Sequence, residues 1–172
     1  MRLFDLLGPL TVRARESRAW LWVLNRTLSL VIPFNRPHGF GLEAIGDEFV
    51  RTKARYRKSN FNHIRGIHAC AIATIAEFSA GFLLLTRLDP ARYRLIMSEM
   101  QVEYTYQAKE DIFSESRCSG ERLLAEVITP LEQQELVTVK MESRVFDGSG
   151  NAIALAHTTW QIKRWDKVKT KC

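Results

Sequence analysis

Glu77 lies inside the stretch NHIRGIHACAIATIAEFSAG (62–81), in a run from Ala69 to Leu85 that is otherwise almost entirely apolar or small. A carboxylate ionised in such surroundings is prohibitively costly unless it is paired, protonated or facing a cavity. Its neighbours three and four places away on a helix are Ala73, Thr74, Ala80 and Gly81, none of which can form a salt bridge. All four are small and leave room beside the acid, which suits a ligand channel or a close subunit contact. The alternative is an acid satisfied by a distant arginine or by solvent at an exposed patch. An acid beside open space is a candidate general base or nucleophile.

Gly66 favours a turn ahead of His68, which places His68 and Ala69 at the start of the helix. Free backbone N–H groups and the positive end of the helix dipole make that start a site for an oxyanion. Asn62, six residues before His68, is a third polar candidate, although a histidine at a helix start also serves simply as a cap or packing residue. His68 and Glu77 are nine residues apart, so on one helix they point to opposite sides with about 13 Å of rise between them. One helix cannot bring both to one substrate. Two helices in a two-fold dimer can, each site taking the helix start of one chain and Glu77 of the other.

The chain around these residues is that of one soluble domain: 172 residues, 46% hydrophobic and 26% charged. Its 25 Lys+Arg against 19 Asp+Glu give +6, a balance that favours anionic partners. The excess is spread along the chain, and only residues 163–172 form a basic run, read as a solvated tail. No interleaving of aromatic and basic residues supports nucleic-acid binding. Cys70, Cys118 and Cys172 form no CxxC pair, which argues against a disulfide framework and for a reducing, cytoplasmic setting. Cys70, within the apolar run, reads as a small core residue.

Three regions follow: an N-terminal helical extension over 1–36, a main domain over 37–165 and the tail over 166–172. In AWLWVLNRTLSLVIPF (19–34), Asn25 and Arg26 break the apolar run below the roughly 20 residues that span a membrane. A helix packed on the domain or on a partner subunit is one reading of it. An amphipathic helix over 11–34 in peripheral contact with a membrane is the other. IPFNRPHGFG then breaks the chain, and 41–59 reads as a hairpin whose second arm puts Val50, Thr52, Ala54 and Tyr56 on one side. A long apolar helix follows over about 68–86. Strand-like runs come next: from Met100 to Tyr106, over 112–120 and 123–128, and in a hairpin over 135–164 turned at DGSGN. A helix apolar nearly all round must be covered on most sides, and a curved antiparallel sheet does so most simply, giving an α+β fold.

Asn62, Gly66, His68, Ala69 and Glu77, opening a long apolar helix between a hairpin and a run of strands, resemble the hotdog-fold thioesterase superfamily. The nearest likeness is to its PaaI/YdiI-like branch and the relatives grouped as a domain of unknown function (DUF4442, YiiD C-terminal-like). That pattern runs Asn or Gln, Gly, His-Gly-Gly, then Asp or Glu nine residues past the His. Here His-Gly-Gly is His68-Ala69-Cys70, and the glycine stands two places before the histidine, with Arg65 in the expected slot. The resemblance covers roughly 37–165. It implies a sheet wrapped around a central helix, homodimers or tetramers, and hydrolysis of an acyl thioester carried on CoA or an acyl carrier.

By the same resemblance Glu77 is the general base or nucleophile, the Ala69 amide polarises the thioester carbonyl, and His68 and Asn62 position the carbonyl or the attacking water. The substrate is acyl-CoA, with no cofactor and no metal. Its phosphates need cations, for which Lys58, Arg65 and Arg57 near the helix start are the candidates. Gly66 and Thr74 complete the expected substrate-binding set, and Tyr104, Tyr106 and Met100 offer an apolar face that either lines an acyl tunnel or is plain core. The rival functions are an acyl-thioester dehydratase or hydratase, and a non-catalytic hotdog protein that binds acyl groups or a membrane.

Overall fold

The structure, a computed structural model, describes residues 3–168, with side chains from Leu7 onward. Most of the expected basic tail, and Cys172 with it, lies outside the described residues. Two helices come first, α1 (Leu3–Glu16) and α2 (Arg18–Val31), then a helical turn α3 (Asn35–His38). Strands β1 (Gly41–Ile45) and β2 (Phe49–Ala54) precede the long helix α4 (Ala69–Arg87). After it come β3 (Tyr93–Tyr104), β4 (Ile112–Arg117), the helical turns α5 (Gly120–Leu123) and α6 (Pro130–Gln133), then β5 (Leu136–Asp147) and β6 (Ala152–Arg164). The strands form one six-stranded sheet in the order β1-β2-β4-β5-β6-β3, every neighbour antiparallel.

Helix α4 is, as expected, the element the sheet covers. At 19 residues it is long and apolar enough to cross a membrane, yet it buries Ala71, Ile72, Ile75, Ala76, Phe78, Ser79, Ala80, Phe82, Leu83 and Leu84 within the protein. Each fully buried Ile or Leu contributes roughly 1.5–3 kcal/mol. The small residues on this face let the strands approach closely enough for their hydroxyls to reach the helix backbone. Thr52 of β2 donates to the Ile75 carbonyl at 2.7 Å, and Ser143 of β5 donates to the Ala76 carbonyl at 2.9 Å. Ser79 lies 3.0 Å from Ser114 of β4 and 3.2 Å from Ser143. By the two-residue period of a strand, Thr52 shares a side of β2 with Val50 and Ala54, and Ser143 shares a side of β5 with Val137, Val139, Met141 and Val145; both hydroxyl residues are fully buried.

The N-terminal helices pack on this same chain, with Leu7, Ala14, Leu24 and Leu28 in one cluster with Phe82 and Trp160. Asn25, the polar interruption of the apolar run, has a definite task. Its Nδ2 donates to the Leu42 carbonyl at 2.8 Å and its Oδ1 accepts the Leu42 N–H at 2.7 Å. The side-chain amide thus takes the place of a neighbouring strand along β1 and closes that edge of the sheet. The other face of α2 exposes Trp22 and Leu30, followed by exposed Phe34.

Three expectations are corrected. Residues 123–128 are helical rather than a strand. Ser119 caps the turn by accepting the Arg122 N–H, Arg122 pairs with Glu126 four residues on, and Pro130 starts the next turn. The strand expected from Met100 begins at Tyr93, because β6 provides a ladder running from Arg164 to Ala154 opposite it. Cys70 is exposed rather than in the core, since it lies on the outward side of the first turn of α4, whose Ala71 and Ile72 take the buried side.

Asn25→Ala removes both bonds to Leu42 and leaves a half-buried N–H and C=O unpaired. It is expected to lower unfolding stability by about 1–3 kcal/mol, read as a drop in the urea midpoint at unchanged slope.

Candidate functional site

Glu77 projects from α4 into an apolar groove of about 480 Å³. Thr74 and Gly81 of the same helix line it, facing Met97 and Met100 of β3 and Trp160 of β6, and Ile32, Phe34 and Asn35 close it from the N-terminal side. The open space inferred beside Glu77 is therefore real, and part of it has an identifiable cause. A Cβ on Gly81 would stand 2.5 Å from the Trp160 ring, so glycine there lets the indole approach the helix this closely one turn beyond the acid. The bulge of β3 between Met97 and Glu99 shifts the strand register where these methionines meet the groove.

Among the described residues Glu77 has neither ion pair nor hydrogen bond. Burial alone raises its pKa above the usual carboxylate range, no neighbouring charge or donor contributing. Of the alternatives read from the sequence, an acid facing a cavity holds and an acid paired with a distant arginine does not.

His68 is the cap of α4, its Nδ1 accepting the Cys70 N–H at 3.1 Å, as the helix-start reading required. Its carbonyl accepts the N–H groups of Ala71 and Ile72, while the Ala69 N–H has no acceptor among the described residues. His68 lines a smaller cavity of about 180 Å³ with Phe61, Cys70 and Thr74, adjoining the groove. Thr74 and Phe34 border both spaces. Within one chain His68 and Glu77 are thus kept apart along α4, as their spacing dictated.

The remaining candidates take other positions. Asn62 builds the loop, its Oδ1 accepting the Ile64 N–H at 3.1 Å and the Gly66 N–H at 2.9 Å. Gly66 lines neither space. It is a close-packing position, where a Cβ would stand 2.9 Å from the Gln107 amide and 3.3 Å from the Ala108 carbonyl. Arg65 is exposed in left-handed backbone (φ 59°), and its carbonyl accepts the Tyr56 hydroxyl at 2.6 Å. Lys58 is exposed, and Arg57 turns to a separate cleft near α3. Of the apolar strand face, Met100 lines the groove, whereas Tyr104 and Tyr106 are exposed and the Tyr104 hydroxyl donates to the Ala69 carbonyl at 3.2 Å. No group of His, Cys, Asp and Glu among the described residues is arranged to hold a metal.

Sequence reasoning missed Asn35 and Trp160. Asn35 sat in a segment legible only as a break, and Trp160 in a returning strand whose register could not be matched to the helix. Asn35 is 5% exposed, and its carboxamide has no hydrogen-bond partner among the described residues while bordering the groove.

A carboxyl whose pKa is raised by folding keeps its proton longer in the folded chain than in the unfolded one. Stability therefore falls as pH rises from the ordinary carboxylate pKa through the raised one. Glu77→Gln cannot ionise and escapes that loss. Denaturant unfolding is expected to show the variant more stable than wild type at neutral pH, with the gap closing in acid below the ordinary carboxylate range.

Known proteins share this fold. A protein of unknown function from Pseudomonas aeruginosa, designated a probable thioesterase, superposes with a TM-score of 0.76 at 29% identity, over 83% of this chain and 95% of that one. A thioesterase of Haemophilus influenzae superposes with a TM-score of 0.67 at 9% identity, over 87% and 94% of the two chains. A thioesterase mutant from Staphylococcus aureus does so at 0.61 and 11% identity, over 76% and 98%. The fold is the hotdog fold. No protein of curated function matches the chain. The family described as Domain of unknown function (DUF4442) matches residues 21–162, and the chain belongs to that family.

Proposed function

We propose that this protein hydrolyses an acyl thioester, carried on CoA or an acyl carrier, with Glu77 as general base or nucleophile. The observation that carries this reading is a carboxylate with no partner among the described residues, desolvated at one side of an apolar groove of about 480 Å³. An acid with a raised pKa is better matched to proton abstraction near neutral pH than an ordinary glutamate. In the base form of the reaction, Glu77 takes a proton from water as its oxygen bonds to the thioester carbonyl carbon. The tetrahedral oxyanion then collapses, the C–S bond breaks, and the leaving sulfur takes the proton held on Glu77, which restores the carboxylate. The Ala69 N–H at the start of α4, without an acceptor among the described residues, supports the oxyanion-donor role this scheme requires.

The same reading needs a second copy of the chain, because His68 and Ala69 sit at one end of α4 and Glu77 lies halfway along it. The two edges of the sheet support this. Asn25 closes β1, whereas β3 has no partner on its outer side among the described residues. A two-fold pairing of β3 with β3 of a second copy would satisfy that edge and bring two copies of the groove-lining methionines together.

Assay of an acyl-CoA panel with free-thiol detection is expected to show turnover, and Glu77→Ala to lower kcat by about 10²-fold or more. Activity unchanged in Glu77→Ala would rule out the assigned role. Sedimentation at micromolar concentration is expected to give a dimer or a multiple of one, and a monomer that retains full activity would remove the shared site.

A further inference from the structure

A further cavity, of about 490 Å³, is lined by the N-terminal helices and the β1–β2 hairpin and shares Asn35 with the groove. Four arginines border it: Arg26 of α2, Arg36 of α3, and Arg55 and Arg57 just beyond β2. None of the four has a carboxylate within ion-pair distance among the described residues. The one acid on the lining, Glu43, is 3.9 Å from Lys53, which also pairs with Asp111 at 3.3 Å. All four are exposed, and Arg55 is near enough to Asp111 to help lower the pKa of that carboxyl, yet the cleft carries more positive charge than the one acid on its lining balances, which favours an anion there.

Two of the four are held in place. Arg57 donates to the Pro37 carbonyl at 3.0 Å and lies across Gly39, where a Cβ would stand 2.7 Å from its guanidinium. Gly39 caps α3 at φ 65°, so the residue that turns the chain also admits the arginine. Arg26 stacks over the Trp22 ring at 5.3 Å. Asn35, 5% exposed and with no side-chain hydrogen bond among the described residues, borders this cleft and the groove of Glu77 alike.

We infer that the arginine cleft is a phosphate site, and that one ligand reaches from it past the Asn35 carboxamide into the groove. Guanidinium forks match phosphate oxygens in pairs, and the Asn35 carboxamide, unbonded among the described residues and bordering both spaces, suits an amide of the arm between. The chemistry is that of a phosphorylated carrier whose anionic end sits on Arg36, Arg55 and Arg57 while its acyl end reaches Glu77. Which carrier is meant rests on the thioesterase reading, whereas phosphate binding is measured without turnover. Of the cations expected from the sequence, only Arg57 belongs to this cleft; Lys58 and Arg65 do not.

The test is calorimetric titration of the full chain with free CoA, with adenosine 3′,5′-bisphosphate and with inorganic phosphate, alongside co-sedimentation with phosphatidylglycerol vesicles. CoA and the bisphosphate are expected to bind, with affinity falling as salt rises. Arg36→Gln/Arg55→Gln should weaken both by about tenfold or more, the loss expected for a charge-assisted contact, while exposed Arg18→Gln changes neither. Asn35→Ala should weaken CoA and leave the bisphosphate alone, which a general loss of folding would not do. Loss of vesicle binding alone in the double variant would assign the phosphate to a lipid headgroup and overturn the soluble carrier. Equal affinity of wild type and double variant for every phosphate probe would overturn the site. An intact CoA site without any thioester hydrolysis would overturn the proposed reaction and leave the cleft standing.

Discussion

The seating of α4 against the sheet is the constraint on which the rest depends. Strand hydroxyls from Thr52 and Ser143 bond the carbonyls of Ile75 and Ala76, and Ser79 joins Ser114 and Ser143 within the same layer. Helix carbonyls are already engaged within the helix, so these are second bonds to acceptors with a spare lone pair. They form only if strand and helix backbones come close, hence the alanines and serines on that face. A larger side chain at Ser79 would lift the helix and leave several buried hydroxyls unpaired, a cost greater than any single bond gained.

Once α4 is fixed in rotation, the surroundings of Glu77 follow. The face turned to β2, β4 and β5 carries the hydroxyl contacts, and the face turned to β3, β6 and the N-terminal segment carries Thr74, Glu77 and Gly81. The acid is desolvated there because Trp160, Met97 and Met100 surround it, and it is left unpaired because Ala73, Thr74 and Gly81 are too small and uncharged to meet it. The raised pKa is therefore a product of packing rather than of a neighbouring charge. Placing a carboxylate in such a pocket costs stability, and proteins tolerate that cost chiefly at functional sites.

The sheet has two unlike edges for a related reason. The N-terminal helices exist in part to finish β1, through Asn25, and in doing so they bring Ile32, Phe34 and Asn35 over the groove and Arg26 and Arg36 over the neighbouring cleft. Edge closure and site construction are thus one packing event. At β3 nothing in the described chain plays that part, and the strand lies open along the side from which the groove is lined.

Much was legible in the sequence because it is set by local periodicity. The long helix, the hairpins around β1–β2 and β5–β6, the inward Thr52 and Ser143, the helix start at His68 and open space beside Glu77 all follow from spacings of two or three to four residues. Residues 123–128 were misread because their apolar residues fit a short strand as well as a helix, and the deciding cap and ion pair lie partly outside the run. What only the tertiary structure decided is which distant residues meet. The pairing of Gly81 with Trp160, the bond of Asn25 to Leu42, the position of Asn35 between two cavities and the gathering of four arginines depend on chain crossings that no local spacing encodes. The sequence alone determined that a carboxylate would be held in an apolar helix with room beside it. The wall around that room, and the cations beyond it, came from long-range packing, because burial and convergence are properties of neighbours in space and not along the chain.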